Sequence, residues 1–151
     1  MGVVAAVSVT AVSGAGCAAG PRAFLADATL EIDTPAPLTT VVTPFAVAWT
    51  TTRRDPGYAV FLDRPPMPPG HTVRDVADAQ CRKVATCPDP VYLAGHGIYV
   101  TTGHSIEVLQ LPIVGGTGGR LPQPAHTATV VALDAGGHRK GDAAWTVEFH
   151  G

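Results

Sequence analysis

The sequence predicts an all-β fold, an antiparallel sandwich with one short helical insertion, and three observations lead there. Apolar residues alternate with small or polar ones in short runs: Phe45, Val47 and Trp49; Tyr58, Val60 and Leu62; Trp145, Val147 and Phe149. A period of two puts each set on one face of a strand. Clusters of Pro and Gly separate the runs, the punctuation expected between the strands of a sandwich. Helical spacing of apolar residues is confined to residues 72–81.

At the amino end, an apolar run at residues 3–12 is followed by the small residues Ser13-Gly14-Ala15-Gly16 and then by Cys17. The run is shorter than the roughly 20 apolar residues that span a bilayer. It has the length of a secretory signal core, with small residues where a peptidase cleft rejects bulk. Gly14-Ala15-Gly16-Cys17 resembles the bacterial lipobox, although Gly14 stands where leucine is usual and no Lys or Arg precedes the run. The resemblance implies a lipoprotein: residues 1–16 as signal peptide, residues 17–27 as a tether acylated at Cys17, and residues 28–151 as the folded domain. Several acyl chains, at about 0.8 kcal/mol per buried methylene, would hold it to the cell membrane. Cleavage near Ala18 or Ala19, with release as a secreted protein, is the competing reading.

Cysteine usage fits export. Three cysteines leave one thiol over, and an exported protein must dispose of it. Acylation of Cys17 does so, and Cys81 and Cys87 then close a small loop as a disulfide in an oxidising compartment. By chain entropy so short a loop contributes about 2–3 kcal/mol, so it pins a local turn rather than the whole domain. A redox-active pair would use the tighter Cys-x-x-Cys spacing.

Within the domain, Leu30 and Ile32 share one face of a first strand at residues 28–33, and a second short run covers residues 38–43. The strand bearing Phe45, Val47 and Trp49 carries a large apolar face. Arg53-Arg54-Asp55-Pro56-Gly57 turns the chain into the strand bearing Tyr58, Val60 and Leu62, where Phe61 implies that the opposite face is also partly covered. Strands follow near residues 97–102 and 105–111. At residues 126–133, His126, Ala128, Val130 and Ala132 alternate with Thr127, Thr129, Val131 and Leu133, so both faces are buried, as in the middle of a sheet. Residues 135–141 form a glycine-bearing hairpin loop into the last strand, residues 145–150.

Two insertions interrupt this pattern. Arg64-Pro65-Pro66-Met67-Pro68-Pro69-Gly70 is stiff and extended, because proline fixes φ and donates no hydrogen bond. A short helix is expected next, capped by Thr72 with Asp75 three residues on, and with Val73, Val76, Ala77 and Gln80 or Cys81 at helical spacing. The disulfide tethers it to Pro88-Asp89-Pro90. The second insertion, residues 113–124, contains Gly115-Gly116-Thr117-Gly118-Gly119-Arg120. It lacks the Gly-Lys-Ser/Thr ending of a phosphate loop and reads as a linker.

Three local features make the domain resemble a fibronectin type III or bacterial immunoglobulin-like module. Val47-Ala48-Trp49, followed by Tyr58-Ala59-Val60, is similar to the tryptophan strand and its tyrosine partner. Val108-Leu109-Gln110-Leu111-Pro112 is similar to the stretch that precedes the penultimate strand. His126-Thr127-Ala128-Thr129-Val130-Val131-Ala132 is similar to a Tyr-x-Val-x-Val-x-Ala pattern, with histidine at the tyrosine place. The resemblance implies the immunoglobulin-like sandwich and recognition by loops. Whether the corner hydrogen bond of that tyrosine is kept depends on the imidazole donating it.

A formal charge of -2 supplies no field for a polyanion, which excludes nucleic acid as a partner. Beyond the signal the one serine is Ser105, and its neighbour His104 points to the other face of a strand, so the two do not form a nucleophile and base. Among six histidines, His96 and His104 flank residues 97–103 and are the candidates for a Zn or Cu site, with no third ligand of certain position. Tyr92 and Tyr99 are the aromatic candidates for a binding surface beside the helical insertion, and His138 and Arg139 those of the loop at residues 135–141. The expectation is therefore a non-enzymatic, cofactor-free interaction module, held to the membrane by its lipid, whose partner is an envelope protein or cell-wall component. The alternatives are a metal-binding envelope protein or metal-dependent hydrolase, and a structural spacer. Mass spectrometry of the cell-derived protein should find an acylated amino-terminal Cys17, and Cys81 and Cys87 inert to alkylation until reduced; an unlipidated chain with free thiols refutes both expectations.

Overall fold

Each alternating run of the sequence becomes a strand because its apolar face needs a second layer to cover it. The computed structural model describes residues 28–111 and 125–151. The expected signal segment, Cys17 with the tether expected after it, and the glycine-rich residues 113–124 lie outside the described residues. The strands are β1 (Leu30–Thr34), β2 (Phe45–Thr51), β3 (Gly57–Leu62), β4 (Ile98–Thr101), β5 (Ser105–Val108), β6 (Ala125–Leu133) and β7 (Trp145–His150). They form two antiparallel sheets, one in the order β1-β2-β5 and the other in the order β4-β3-β6-β7. The expected all-β sandwich is therefore the architecture observed. Among the described residues no helix is long and apolar enough to cross a membrane.

The sheets face each other across Ile32, Val47, Trp49, Tyr58, Val130 and Phe149, all buried. The Trp49 and Tyr58 rings meet edge to face at 5.4 Å, as do Phe45 and Phe149, a geometry the aromatic quadrupole favours. A second apolar cluster lies on the other face of the four-stranded sheet: Phe61, Ile98, Val131 and Leu133 are covered by Met67 and Leu93 of the insertion after β3. Phe61 is fully buried, so β3 and β6 have no solvent face, as their composition foretold.

Three elements differ from expectation. Residues 38–43 form no strand; they run parallel to β7 through an isolated bridge at Thr40 and His150. Leu38 N donates to Glu148 O at 2.7 Å and Val41 N to His150 O at 2.8 Å, which covers the β7 edge. Residues 72–77 are turns, not a helix. Thr72 N and Oγ1 do bond Asp75 Oδ2, at 2.7 and 2.9 Å. The carbonyls that a helix would use are taken by Arg82, whose Nη1 donates to Ala77 O at 2.9 Å and to Asp75 O at 3.3 Å, and one turn alone does not offset helix nucleation. The helix, α1, spans Pro90–Gly95, where Asp89 Oδ1 accepts from Tyr92 N at 2.7 Å and Pro90 opens the first turn, the usual chemistry of a helix start.

Because both layers of core depend on the four-stranded sheet, Trp49→Ala, which packs on one face of it from β2, and Phe61→Ala, on its other face, should each cost about 3–5 kcal/mol in urea unfolding. A Phe61→Ala cost below about 1 kcal/mol would mean that the insertion is not part of the core.

Candidate functional site

The strand directions gather three connections at one end of the sandwich: the β2–β3 turn, the β4–β5 turn and the β6–β7 loop. They surround a shallow cleft of about 500 Å³ whose walls include Pro56, Val100, Thr101, Asp134 and Gly137. Residue 28 emerges at the same end, since β1 starts with Leu30 opposite Thr51, the last residue of β2.

The β6–β7 loop is held internally by Asp134. Its Oδ1 accepts from Gly136 N at 2.8 Å and His138 N at 2.9 Å, with His138 Nδ1 at 3.2 Å, a local turn of the kind aspartate favours. Gly137 takes a φ of 78°, which favours glycine, and a Cβ at Gly136 would come within 2.8 Å of the His138 ring, so a side chain there would displace the imidazole. The backbone N–H of His138, above all, lowers the Asp134 carboxyl below its usual range.

Two further anchors fix this loop from either side. Arg139 is a correction to the expected surface: it is 4% exposed, and its Nη1 donates to Met67 O at 2.7 Å and its Nη2 to Asp142 O at 2.6 Å. Burial lowers its pKa, and Asp142 opposes that shift. Its backbone also pairs with the insertion, Gly70 N donating to Arg139 O at 2.9 Å and Arg139 N to His71 O at 2.8 Å. On the other side, Lys140 Nζ bonds Asp55 Oδ1, and Arg53 Nε lies 3.4 Å from Asp55 Oδ2. The Asp55 side chain is 2% exposed, a burial that requires those cations. His138, by contrast, stays half-exposed, as does the adjoining pair His71 and Asp75, Nδ1 to Oδ2 at 3.8 Å. Hydrogen bonds from Thr72, chiefly its backbone N–H, lower the Asp75 carboxyl, and His71 and His138 add to the shift.

The insertion owes its shape to charged side chains more than to secondary structure. Cys81 and Cys87 form the disulfide, with Cα atoms 5.3 Å apart. The Arg74 fork donates into the ring so closed, to Arg82 O and Cys87 O at 3.0 Å and to Ala85 O at 3.3 Å. Tyr92 is bound into the same unit: its hydroxyl donates to Asp78 Oδ2 at 2.7 Å and accepts from Asp78 N at 3.0 Å. The bond from the Tyr92 hydroxyl, after that from Cys81 N, lowers the Asp78 carboxyl. Tyr99 leans on the central core, and burial raises its hydroxyl.

His96 and His104 sit at opposite ends of β4 in separate surroundings. His96 stacks on Tyr92 at 4.1 Å, with its Nδ1 2.8 Å from Tyr92 O. His104 packs edge-on against Tyr58 at 5.4 Å and Trp49 at 6.5 Å. Among the described residues no group of three or more His, Cys, Asp or Glu is placed to hold a metal ion. Two pairs were missed in the sequence. One is Asp55 with Lys140. The other is buried His126, whose Nδ1 lies 2.7 Å from Asp63 Oδ2 while Thr127 N donates to Asp63 Oδ1 at 2.8 Å. Asp63 reaches both by adopting a φ of 53°, which aspartate tolerates better than most residues. Partners 63 residues apart in the chain leave no local signal.

Comparison with protein-family models, curated proteins and solved structures finds no match to this chain.

The lowered carboxyls set an acid limit on the site. Asp75, Asp78 and Asp134 are held ionised below the ordinary value of 3.8, so their loop bonds contribute fully above that pH and are lost as pH falls through the lower folded midpoints. Carboxyl titrations by NMR should give all three midpoints below 3.8, with protection of the Gly136 and His138 amides lost over the Asp134 midpoint. A midpoint for Asp134 at or above the ordinary value contradicts the loop geometry.

Proposed function

We propose that this chain is an exported interaction module, anchored to the bacterial cell membrane through a lipid on Cys17, that binds an envelope protein or cell-wall component without catalysis or cofactor. We infer further that its sandwich is of the fibronectin type III or immunoglobulin-like kind. Seven described strands in a three-plus-four arrangement support that inference, as do Trp49 on β2 against Tyr58 on β3. His126, at the tyrosine place near the start of β6, still makes a hydrogen bond, here to Asp63. The closed disulfide supports an oxidising compartment.

One observation carries the functional reading: the β6–β7 loop is fixed on two sides, by Arg139 to the insertion and by Lys140 to Asp55, while His138, immediately before these anchors, stays half-exposed to solvent. Rigid loops with exposed polar tips bind at low entropic cost. The two surfaces expected to recognise a partner, the disulfide insertion and the loop, are joined into one by the bonds between residues 70–71 and Arg139.

A photo-cross-linking side chain replacing His138 in intact cells should give a discrete adduct of one partner. The same probe at Leu109, exposed at the far end of β5, should not. No adduct at either position points to a spacer, and an adduct at Leu109 alone puts the recognition surface at the wrong end.

A further inference from the structure

The two edges of the four-stranded sheet are treated differently. The β7 edge is covered by residues 38–41. At the other edge β4 is outermost. Leu62 N donates to Gly97 O at 2.7 Å, and the register sets Phe61 opposite Ile98, Val60 opposite Tyr99 and Ala59 opposite Val100. In an antiparallel pair, alternate residues turn their N–H and C=O toward the partner strand. Tyr99 and Thr101 therefore bond β3, and Ile98, Val100 and Thr102 turn their backbone groups the other way; Ile98 is covered, at 1% exposure, and Val100 and Thr102 are open to solvent, where no described strand meets them.

Free edges in monomeric proteins are usually blunted by charge, proline or a bulge. The open stretch Tyr99-Val100-Thr101-Thr102 carries none of these, and Val100 is 48% exposed. The edge runs directly into the cleft, where Val100, Thr101 and Thr102 meet Asp134. Asp134 is the one charged side chain among the cleft walls. Its Oδ1 serves the loop, and the side chain remains half-exposed.

We propose that the outer edge of β4 receives an extended segment of a partner polypeptide as an added antiparallel strand, with a lysine or arginine of that segment paired to the Asp134 carboxylate in the adjoining cleft. Main-chain bonds supply the affinity in such strand addition and side-chain pockets the selectivity. Charge complementarity at Asp134 selects a basic segment over a neutral one. The proposal rests on reading this end as an interaction surface and adds the chemistry of what it takes.

The test titrates the isotope-labelled full chain with a blocked synthetic peptide, Lys-Val-Thr-Val-Thr, whose amino end an antiparallel strand sets beside the cleft, and with its Lys-to-Gln counterpart, following amide shifts and hydrogen exchange. The lysine peptide should protect the Val100 and Thr102 amides. The glutamine peptide, and separately Asp134→Asn, which keeps the loop's acceptor, should each weaken binding by about three- to tenfold. Val100→Pro removes an outward donor at an edge, where proline is tolerated, and should abolish protection with the sheet intact. Should that variant fail to fold, Val100→Lys blunts the edge instead. Shifts confined to other strands, or equal affinity in the edge variants, overturn the proposal. So does concentration-dependent protection of the same amides without peptide, which would make a second copy the occupant. Each of these results leaves the cross-link at residue 138 unaffected, so failure here is distinguishable from failure of the broader reading.

Discussion

Strands β3 and β6 are buried on both faces, and the arrangement of the site follows from how those faces are covered. One face closes on the three-stranded sheet through Trp49, Tyr58 and Phe149. The other needs a cover that a plain sandwich lacks, and Met67 and Leu93 of the insertion supply it against Phe61 and Val131. Burying large apolar side chains contributes roughly 1.5–3 kcal/mol each, so the insertion is bound to the sheet by the same effect that closes the core. Met67 sits on the sheet with its carbonyl toward Arg139, so covering Phe61 also anchors the β6–β7 loop.

Charged side chains do much of the structural work in this chain, and they do it through carbonyls. Arg74, Arg82 and Arg139 each donate to more than one main-chain oxygen. Such bonds are charge-assisted and stronger than neutral ones. They suit a segment of proline-rich turns, where few backbone N–H groups are free to satisfy carbonyls. The fork of arginine reaches several acceptors at once, which lysine does not. The same economy holds at the loop end, where Lys140 and Arg53 share the buried Asp55, and at the opposite end, where Asp63 holds His126 and the start of β6. Buried His126 thus keeps its hydrogen bond by taking a carboxylate partner.

Much of this architecture was legible in the chain. Period-two alternation located β2, β3, β6 and β7, and the apolar composition of β6 on both faces identified it as a central strand. Phe61 signalled the second cover, and the spacing of Cys81 and Cys87 allowed their bond. Legibility ended where local patterns were ambiguous. Residues 72–77 had helical spacing but became turns because Arg82 claimed their carbonyls. Asp89-Pro90 carried the real helix start, a signal present in the sequence and overlooked beside the stronger periodicity. Arg139, placed in a hydrophilic loop, read as a surface residue because nothing local announces the two carbonyls it meets inside.

What the sequence by itself determined is therefore local: which residues alternate, where proline and glycine break the chain, and which cysteines can meet. Those properties depend on backbone stereochemistry and side-chain size within a few neighbours. Tertiary structure alone decided which loops share an end, that the insertion and the β6–β7 loop form one surface, and which charges are buried together. Pairs such as Lys140 with Asp55, 85 residues apart, exist only once the strands have brought their ends together, because Coulombic and hydrogen-bond energies depend on distance in space and not along the chain.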